Sequence, residues 1–524
     1  MNIKDKYWMI KNLIRIRDAW HAAFPVFLIA AFFLFPGPAD VCGAETDGAK
    51  YIILMIADGW GPKTIEATNK YTGMPPAYQS APWTQYWVTT YPAGGSYNTT
   101  RAWSEFDYVM NGYGDSAACA TALYSGFKTS NGRINVSPDA SIVFFTIGEI
   151  AKEYGMGVGA VSTVNVSHAT PGTWVAHNDD RGNTFAIADE GFFGYPNTTG
   201  TVAADIKYGG GHGPTLPPAD VLIGAGGSAY VSSQIYSKLR NESGQTGKHV
   251  LVEKQDGQDG GTALMAAADN PNTRKLAGLF DHVYHNANNS GYMPENPTLS
   301  ESTQAALKVL NRNPNGFVLM IEGGAVDWAA HANNMNQLIG EEKDFDNAVQ
   351  TVIDWVNDTA NGSNWNNTLV IVTADHDCGY LSRNAGEFPD QPLGDVNDIT
   401  LSKEKIVSGS GGRRASWDDT NGNNRIDTGE TVYWYWNSGG HTNSLIPIYA
   451  RGTGSGLFAQ YVKGNDKIRG PYLDDINVFE VMNRVLIPQA CIQTGSLSVA
   501  SGKTLQGNMT DLTSIVTSSN AVNL

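Results

Sequence analysis

The chain has 524 residues, of which 41% are hydrophobic and 16% charged, so it can bury a large core and is not a disordered polymer. Its 51 acidic residues outnumber its 35 basic residues, and the formal net charge is -16. Because so acidic a surface repels nucleic acids and anionic membranes, we exclude both as partners. An anionic substrate would be repelled as well, so any site for an anion in this protein must concentrate positive charge of its own.

Residues 1–44 are predicted to form a secretory signal peptide. Basic residues precede an apolar run at 22–35, and the small residues Gly43 and Ala44 follow it. The run is shorter than the roughly 20 residues of a bilayer-spanning helix, which favours cleavage over a retained membrane anchor. We therefore expect a periplasmic or secreted protein without a stable membrane anchor.

Residues 45–490 are predicted to form one α/β domain. Between its apolar runs lie segments with helical spacing at 146–155 and 300–313. This alternation predicts a doubly wound, mostly parallel central sheet with helices on both faces. The predicted strands are nearly continuous apolar runs, as expected for strands buried on both faces, and lie at 51–58, 157–163, 316–324 and 368–376.

Three parts of the chain depart from this pattern. Surface insertions are expected at about 182–300 and 379–440, and a polar tail or edge element is expected at 491–524. Three widely spaced cysteines remain after Ala44, so at most one disulfide can form, and its pairing is open. These cysteines are Cys119, Cys378 and Cys491.

Carboxylates close three of the four predicted strands. Asp58 and Glu322 end two of them, and Asp375 with His376 ends a third. Ligand sites in open parallel sheets collect beyond the carboxyl ends of the strands. The recurrence therefore predicts a functional site at this edge.

The remaining polar motifs add metal-ligand types. Asp327 and His331 are four residues apart and share one helical face, and His441 follows two glycines. Each motif alone is also compatible with an ordinary hydrogen bond or a capped loop. Together they supply enough carboxylates and imidazoles for two zinc ions with open coordination positions.

Ser116 is the candidate nucleophile. It follows Gly114 and Asp115 and opens a predicted helix of small residues. A helix N-terminus favours an anion, although a serine at this place is also a common capping residue. Because no histidine lies close in sequence to act as a base, a metal ion would have to activate this serine.

Taken together, these motifs resemble the alkaline phosphatase family from about Tyr51 to Ile487. The matching motifs occur in the family's order: IADGWG, GDSAACATAL, VNVSHATPGTWVAHNDDR, PTLSE followed by GFVLMIEGGAVDWAAH, VTADHD, and GGHTN followed by IPIYARG. The resemblance implies hydrolysis of phosphate monoesters through a covalent phosphoserine on Ser116. It also implies a homodimer, and an Arg181 that binds two phosphoryl oxygens.

The same resemblance implies three metal sites that share ligands. One zinc would be held by Asp327, His331 and His441. A second zinc would be held by Asp58, Asp375 and His376. Asp58, Thr170 and Glu322 would form a third site, normally filled by magnesium, whose preference is for oxygen ligands.

Two residues depart from the best-known bacterial members. His168 stands near the third metal where those have an acidic residue, and Trp328 stands where others have a cation near the phosphate. The combination looks like that of some cold-adapted marine bacterial members. Because of His168, the third site could hold either magnesium or zinc. Because Trp328 replaces a cation near the phosphate, we expect the site to retain phosphate more weakly and to release it faster. Trp436 is expected either to line the substrate entrance or to pack in the core.

A segment outside these motifs, at 419–430, follows the spacing of an EF-hand calcium loop. Asn424 replaces the usual glycine at position six, which asparagine tolerates because it accepts left-handed backbone geometry. We expect a calcium site here, the alternative being an acidic turn without metal. The expected ligands are Asp419, Asn421, Asn423, the Arg425 carbonyl, Asp427 and Glu430.

Two alternative functions remain beside phosphate monoester hydrolysis. A superfamily relative would cleave phosphodiesters or sulfate esters, but such relatives carry threonine or a modified residue as nucleophile, where this chain has Ser116. A calcium-stabilised binding protein without activity would be expected to have lost at least one ligand or the nucleophile, and this chain retains all of them.

Overall fold

The computed structural model describes residues 48–195, 197–199 and 217–486, together with the backbone of two short strands near the C-terminus. The predicted signal peptide at 1–44 lies outside these ranges, as does most of the predicted tail at 491–524. Among the described residues, we find no helix with both the length and the apolar character needed to cross a membrane.

Nineteen strands are present in the described ranges. In chain order they are β1 Tyr51–Ala57, β2 Thr84–Thr89, β3 Gly157–Asn165, β4 Val221–Ala225, β5 Val250–Glu253, β6 Leu276–Phe280, β7 Phe317–Gly323, β8 Thr368–Thr373, β9 Asp377–Cys378, β10 Leu381–Ser382, β11 Lys405–Ile406, β12 Arg414–Trp417, β13 Val432–Trp436, β14 His441–Thr442, β15 Ile446–Gly452, β16 Gly464–Asp466, β17 Gly470–Asp474, β18 Leu497–Ser498 and β19 Thr504–Leu505.

Twelve α-helices accompany them in the same ranges. They are α1 Pro62–Thr72, α2 Ser116–Ser125, α3 Ile147–Glu153, α4 Ala169–Val175, α5 Thr184–Phe193, α6 Ser233–Glu242, α7 Gly260–Asp269, α8 Leu299–Leu310, α9 Ala325–His331, α10 Met335–Asn357, α11 Asp398–Leu401 and α12 Ile476–Leu486.

The central sheet has 11 strands in the order β16-β17-β2-β15-β8-β1-β7-β3-β4-β6-β5. From β8 to β5 all neighbours are parallel, whereas β15 pairs antiparallel with both β8 and β2. Every residue of β1, β7 and β8 is buried, as expected for strands covered by helices on both faces. The predicted doubly wound α/β architecture is confirmed, and so are its four predicted strands.

The segment 182–300 differs from our expectation of a surface insertion. It supplies β4, β6 and β5, which extend the parallel part of the central sheet. Strands this short, between loops rich in Gly, Asn and Asp, resemble loop sequence because each has only four or five residues. Much of this segment is therefore part of the α/β domain itself.

The segment 379–440 forms a separate four-stranded sheet in the order β10-β13-β12-β11. A buried carboxylate, Glu404, holds it together by accepting hydrogen bonds from the indole nitrogens of Trp434 at 2.9 Å and Trp436 at 2.8 Å. Trp436 has no exposed surface. The expectation that Trp436 lines the substrate entrance is therefore wrong, and its role is packing.

Candidate active site

Three adjacent strands deliver carboxylates to one edge of the sheet. β1 lies between β7 and β8, with Ile56 opposite Glu322 on one side and Thr373 on the other. Asp58 and Asp375 follow the ends of β1 and β8 directly, so both reach the same edge. The strand order thus explains why these distant residues meet.

The candidate nucleophile stands at the start of α2. Every residue of this helix is buried, which its small side chains allow because neighbouring elements can approach closely. Asp115 is the N-cap, and its side chain accepts a hydrogen bond from Ala118 N at 2.9 Å. Ser116 Oγ then lies 3.2 Å from His376 Nε2. The predicted serine is therefore in direct reach of the predicted ligand set.

The first predicted ligand group is assembled around Asp327. Nδ1 of His331 lies 2.7 Å from the Gly439 carbonyl, and Nδ1 of His441 lies 3.1 Å from the Gly114 carbonyl. The two Nε2 atoms lie 3.0 Å apart, and they lie 3.2 Å and 3.5 Å from the two carboxylate oxygens of Asp327, so all three side chains direct ligating atoms to one place. Outer-shell carbonyls of this kind typically orient histidine ligands.

The second predicted group lies beside the first. His376 Nε2 is 3.2 Å from Asp375 Oδ2 and 3.5 Å from Asp58 Oδ1. The imidazoles of His376 and His441 stack with their centroids 3.6 Å apart. Asp327 also belongs with this group, because ligating atoms of Asp58, Asp327 and His376 all lie within 4.8 Å of one another. The two groups therefore form one continuous cluster.

The third predicted group lies deeper in the sheet edge. Thr170 Oγ1 donates to Asp58 Oδ2 at 3.4 Å, and Ser162 donates to Glu322. Asp58, Thr170 and Glu322 have no exposed surface. Sharing of Asp58 links this oxygen-rich group to the second group.

The charge balance of the cluster fits bound cations. Among the described residues, no hydrogen bond reaches four of its buried carboxylate oxygens, namely Asp58 Oδ1, Glu322 Oε1, Asp327 Oδ1 and Asp375 Oδ2. Burial raises the pKa of Glu322 to about 8 and that of Asp375 to about 6. Each of these carboxylates has a neighbour on its other oxygen, but a buried oxygen that accepts no hydrogen bond is costly, and divalent cations remove that cost. The imidazoles suit zinc, and the all-oxygen third group suits magnesium.

Arg181 lies beside Asp115, the N-cap of the helix that Ser116 begins. Its Nη1 donates to Asp115 Oδ2 at 2.9 Å, and its Nη2 lies 3.5 Å from His168 Nε2. Burial, together with the charge of Arg181, lowers the pKa of His168 to about 4, so this imidazole is neutral near pH 7. Trp328, half-buried on α9, meets the His168 ring edge to face at 5.6 Å.

Two residues near the site carried no predicted role. Asp115 binds both the helix start and Arg181, and its position before Ser116 in a capping pattern could have indicated this. The Cys378 thiol lies within 4.8 Å of ligating atoms of Asp327, His331 and His441. It follows the predicted ligand His376 by two residues, a local signal that could have indicated its place, and the pairing of β9 with β14 sets it opposite His441. Cys119 and Cys378 are both free and buried, while Cys491 lies outside the described residues.

The predicted calcium loop lies away from this cluster, between β12 and β13. Asn424 has a φ of 57°, the left-handed geometry expected at position six. Ile426 packs against the core of the small sheet, and the Arg425 carbonyl accepts from Trp417 Nε1 at 3.1 Å. Asp427 Oδ2 accepts from both Asn421 and Asn423, and Glu430 accepts from Thr420 N at 2.8 Å. Lys405 Nζ lies 2.5 Å from Asp419.

Comparison with known proteins agrees with this geometry. The sequence model of the alkaline phosphatase family matches residues 49–482. Alkaline phosphatase 3 of Bacillus subtilis is 28% identical over 474 residues, covering 80% of this chain and 87% of that protein. Streptomycin-6-phosphate phosphatase of Streptomyces griseus is 30% identical over 389 residues, covering 66% of this chain and 78% of that protein.

Solved structures show the same fold. The alkaline phosphatase of the Antarctic bacterium TAB5 superposes with a TM-score of 0.55 at 24% identity, covering 84% of this chain and 98% of that one. The Thermus thermophilus enzyme superposes with a TM-score of 0.56 at 19% identity, covering 84% and 92%. Since the family match spans most of the chain, this protein belongs to the alkaline phosphatase family and is a hydrolase of phosphate monoesters.

Proposed function

We propose that this enzyme transfers the phosphoryl group of a monoester to Ser116 and then to water. The observation that carries the proposal is the position of Ser116 Oγ, at the N-terminus of α2 and 3.2 Å from His376 Nε2. In the first step, Oγ attacks phosphorus and the alcohol departs from the opposite side. In the second step, water attacks the phosphoserine, and inorganic phosphate leaves.

The chain's own residues prepare these steps. We assign Asp327, His331 and His441 to one zinc ion, Asp58, Asp375 and His376 to a second, and Asp58, Thr170 and Glu322 to a third, magnesium site. Bound zinc supplies Lewis-acid charge that favours the alkoxide form of a serine hydroxyl and stabilises a leaving oxygen. The N-terminus of α2 adds backbone N–H groups that attract the phosphoryl oxygens.

Arg181 would hold the substrate phosphate in this arrangement. Asp115 occupies Nη1 of the guanidinium, which fixes the side chain near the start of α2. A guanidinium can donate two parallel hydrogen bonds to two phosphoryl oxygens, as lysine cannot. A terminal phosphate offers that pair of free oxygens together with the charge that an otherwise acidic protein must attract.

Trapping of the covalent intermediate tests the mechanism. After incubation with an aryl phosphate and acid quenching, peptide mass spectrometry should locate a phosphoryl group on Ser116. The Ser116→Ala protein should lack both this adduct and turnover. Ser125→Ala is the matched control, because Ser125 is buried in the same helix and donates to the Thr121 carbonyl. A phosphoryl group on any other residue, or normal turnover by Ser116→Ala, would overturn the proposal.

The alternative function is hydrolysis of phosphodiesters or sulfate esters. Hydrolysis rates measured side by side on an aryl phosphate, a bis-aryl phosphate and an aryl sulfate distinguish this alternative from monoester hydrolysis. We expect the monoester to be cleaved fastest because Arg181 is placed for a dianionic group. Faster cleavage of the diester or the sulfate would favour the alternative.

We further propose that the third site and its neighbours favour release of phosphate. His168 is neutral and Trp328 is uncharged, so neither adds a cation near the phosphate. Metal analysis of the His168→Asp protein addresses the third metal, since an added carboxylate should favour magnesium over zinc.

For the loop at 419–430 we propose calcium binding. The support is its EF-hand spacing, the left-handed Asn424 and the anchoring of Ile426 in the small sheet. Calcium would have to displace the ammonium of Lys405 from Asp419. A calcium titration of the zinc-loaded protein tests this.

We also propose that the enzyme is exported and forms a homodimer. The support for export is the signal-like sequence at 1–44, and N-terminal sequencing of the mature protein should begin near residue 45. The dimer rests on family resemblance, and light scattering at several concentrations measures it. A monomer at all concentrations would contradict it.

A further inference from the structure

His282 is a half-buried histidine outside every motif of the site. It follows the end of β6, and its Nδ1 lies 3.0 Å from the carbonyl of Thr163. Among the described residues, Nε2 has no hydrogen-bond partner although it is buried. The proposed mechanism assigns no role to this side chain. If His282 served only to pack the fold, its orientation would not influence substrate binding.

Thr163 connects His282 to the helix that carries metal ligands. Its hydroxyl accepts from Gly324 N at 3.0 Å and from Ala325 N at 3.3 Å, which are the N-cap and the first residue of α9. The same residue therefore fixes the imidazole through its carbonyl and the helix start through its side chain. As a result, His282 has a defined position relative to Trp328 on α9.

The ring contacts continue from His282 toward the phosphate-binding residues. The His282 ring meets the Trp328 indole edge to face, with centroids 5.0 Å apart and planes at 83°. The indole in turn meets His168 edge to face at 5.6 Å and 83°. Both geometries are those preferred by aromatic pairs. The indole is thus clamped between two imidazoles.

The last contact in this series is the one between His168 Nε2 and Arg181 Nη2, at 3.5 Å. We infer that His282 is a positioning residue that, through Trp328 and His168, holds the Arg181 guanidinium in its phosphate-binding orientation. This inference rests on the proposed function of Arg181. His282 acts through Trp328 and His168 and not at the phosphorus atom. It should therefore affect substrate affinity more than the chemical step.

Three substitutions separate the ring contact from the hydrogen bond. His282→Ala removes both, His282→Phe keeps the ring alone, and His282→Asn keeps a donor for the Thr163 carbonyl alone. We expect His282→Ala and His282→Asn to raise KM for an aryl phosphate and Ki for inorganic phosphate about 3- to 10-fold, with kcat within about twofold. His282→Phe should reverse part of this rise, because it keeps the ring contact with Trp328 but lacks the hydrogen bond to the Thr163 carbonyl.

The matched control is His249→Ala. His249 is also buried, lies 2.9 Å from a backbone carbonyl through Nε2 and meets Phe192 edge to face, but it has no connection to Arg181. This control should leave KM and Ki unchanged. An equal rise in KM for His249→Ala, or parent-like constants for His282→Asn or His282→Ala, would overturn the inference.

A readout independent of activity completes the test. In protein labelled with 5-fluorotryptophan, the Trp328 resonance is assigned from its loss in Trp328→Phe. This resonance should shift in His282→Ala, return toward its parent position in His282→Phe, and stay in place in His249→Ala. An unmoved resonance overturns the positioning role even in an active enzyme. A parent protein without phosphatase activity would instead overturn the proposed function, so the two failures are distinguishable.

Discussion

Arg181 and Asp115 form an ion pair with 2.9 Å between Nη1 and Oδ2, and this carboxylate is also the N-cap of the helix that begins at Ser116. Oδ2 accepts a further hydrogen bond from Gly132 N at 2.9 Å. One side chain therefore fixes both the start of the nucleophile helix and the candidate phosphate-binding group. Its two functions can be separated by substitution.

Asp115→Asn should keep the cap, because asparagine is an equally good N-cap residue, but lose the charged contact with Arg181. The asparagine NH2 group also takes the place of the oxygen that accepts from Gly132 N, so we expect a slightly lower melting temperature. The KM for aryl phosphate should be about fivefold higher, corresponding to about 1 kcal/mol. Asp115→Ala should lose both and cost about 1 kcal/mol of stability in addition. Thermal unfolding and steady-state kinetics measure the two effects. Equal KM values for parent and Asp115→Asn would show that the ion pair does not prepare Arg181.

Trp328→Lys should make the enzyme bind its product, inorganic phosphate, more tightly. An ammonium near the phosphate adds an attraction that the indole lacks, so we expect Ki for inorganic phosphate to fall about tenfold. If release limits turnover, kcat should fall with it. Trp328→Phe, which changes size without adding charge, is the control. Inhibition by phosphate that is already strong in the parent would contradict the hypothesis of fast release.

Ionisation of the buried Glu342 should destabilise the folded protein at alkaline pH. Its side chain has almost no exposed surface and accepts from Trp60 Nε1 at 2.8 Å, and burial raises its pKa from 4.5 to about 8. Because the folded-state pKa is raised, the stabilising contribution is complete below about pH 4.5 and is lost as the pH rises through 8. Glu342→Gln should therefore melt at nearly the parent's temperature near pH 5 and several degrees above it at pH 9, and the difference should grow between these two pH values.

The control for Glu342 is Asp354→Asn, a substitution at an exposed position of the same helix, α10. It should leave the melting temperature unchanged at both pH values. A Glu342→Gln protein whose melting temperature follows the parent's pH dependence would show that this carboxyl does not titrate on unfolding.

Calcium should stabilise the loop at 419–430. With zinc in excess, about 1 mM calcium should raise the melting temperature of the parent but not of Glu430→Gln, which lacks the bidentate ligand of position 12. Terbium should show luminescence sensitised by Trp417, whose Nε1 donates to the Arg425 carbonyl of the loop. Glu387→Gln, in the same inserted segment, is the control. Equal calcium responses of parent and Glu430→Gln would exclude this loop as the site.

The sequence was most informative where side chains repeat a local pattern. The strands around Ile53, Leu319 and Val370 were predictable because each is a continuous apolar run buried on both faces. The clustering of the candidate metal ligands was predictable because they follow those strands or share one helical face. Family resemblance supplied the division of these ligands into separate metal sites, which residue types alone leave open.

Contacts between distant segments were not predictable. Trp436 is buried where its indole nitrogen donates to Glu404, a residue of another strand's segment. His282 meets Trp328 because β6 and β7 end at the same edge of the sheet and α9 begins directly after β7. Such contacts leave no pattern in the sequence, because each joins two elements that are far apart along the chain.

The central position of β1 has a consequence for biosynthesis. This strand is made early, but both of its neighbours, β7 and β8, come from the second half of the chain. Until they have been synthesised, an apolar strand remains without its partners, and such segments are prone to aggregate or to need a chaperone. His441 completes the ligand cluster still later. Catalytic competence and metal retention should therefore appear together, and only in nearly full-length chains.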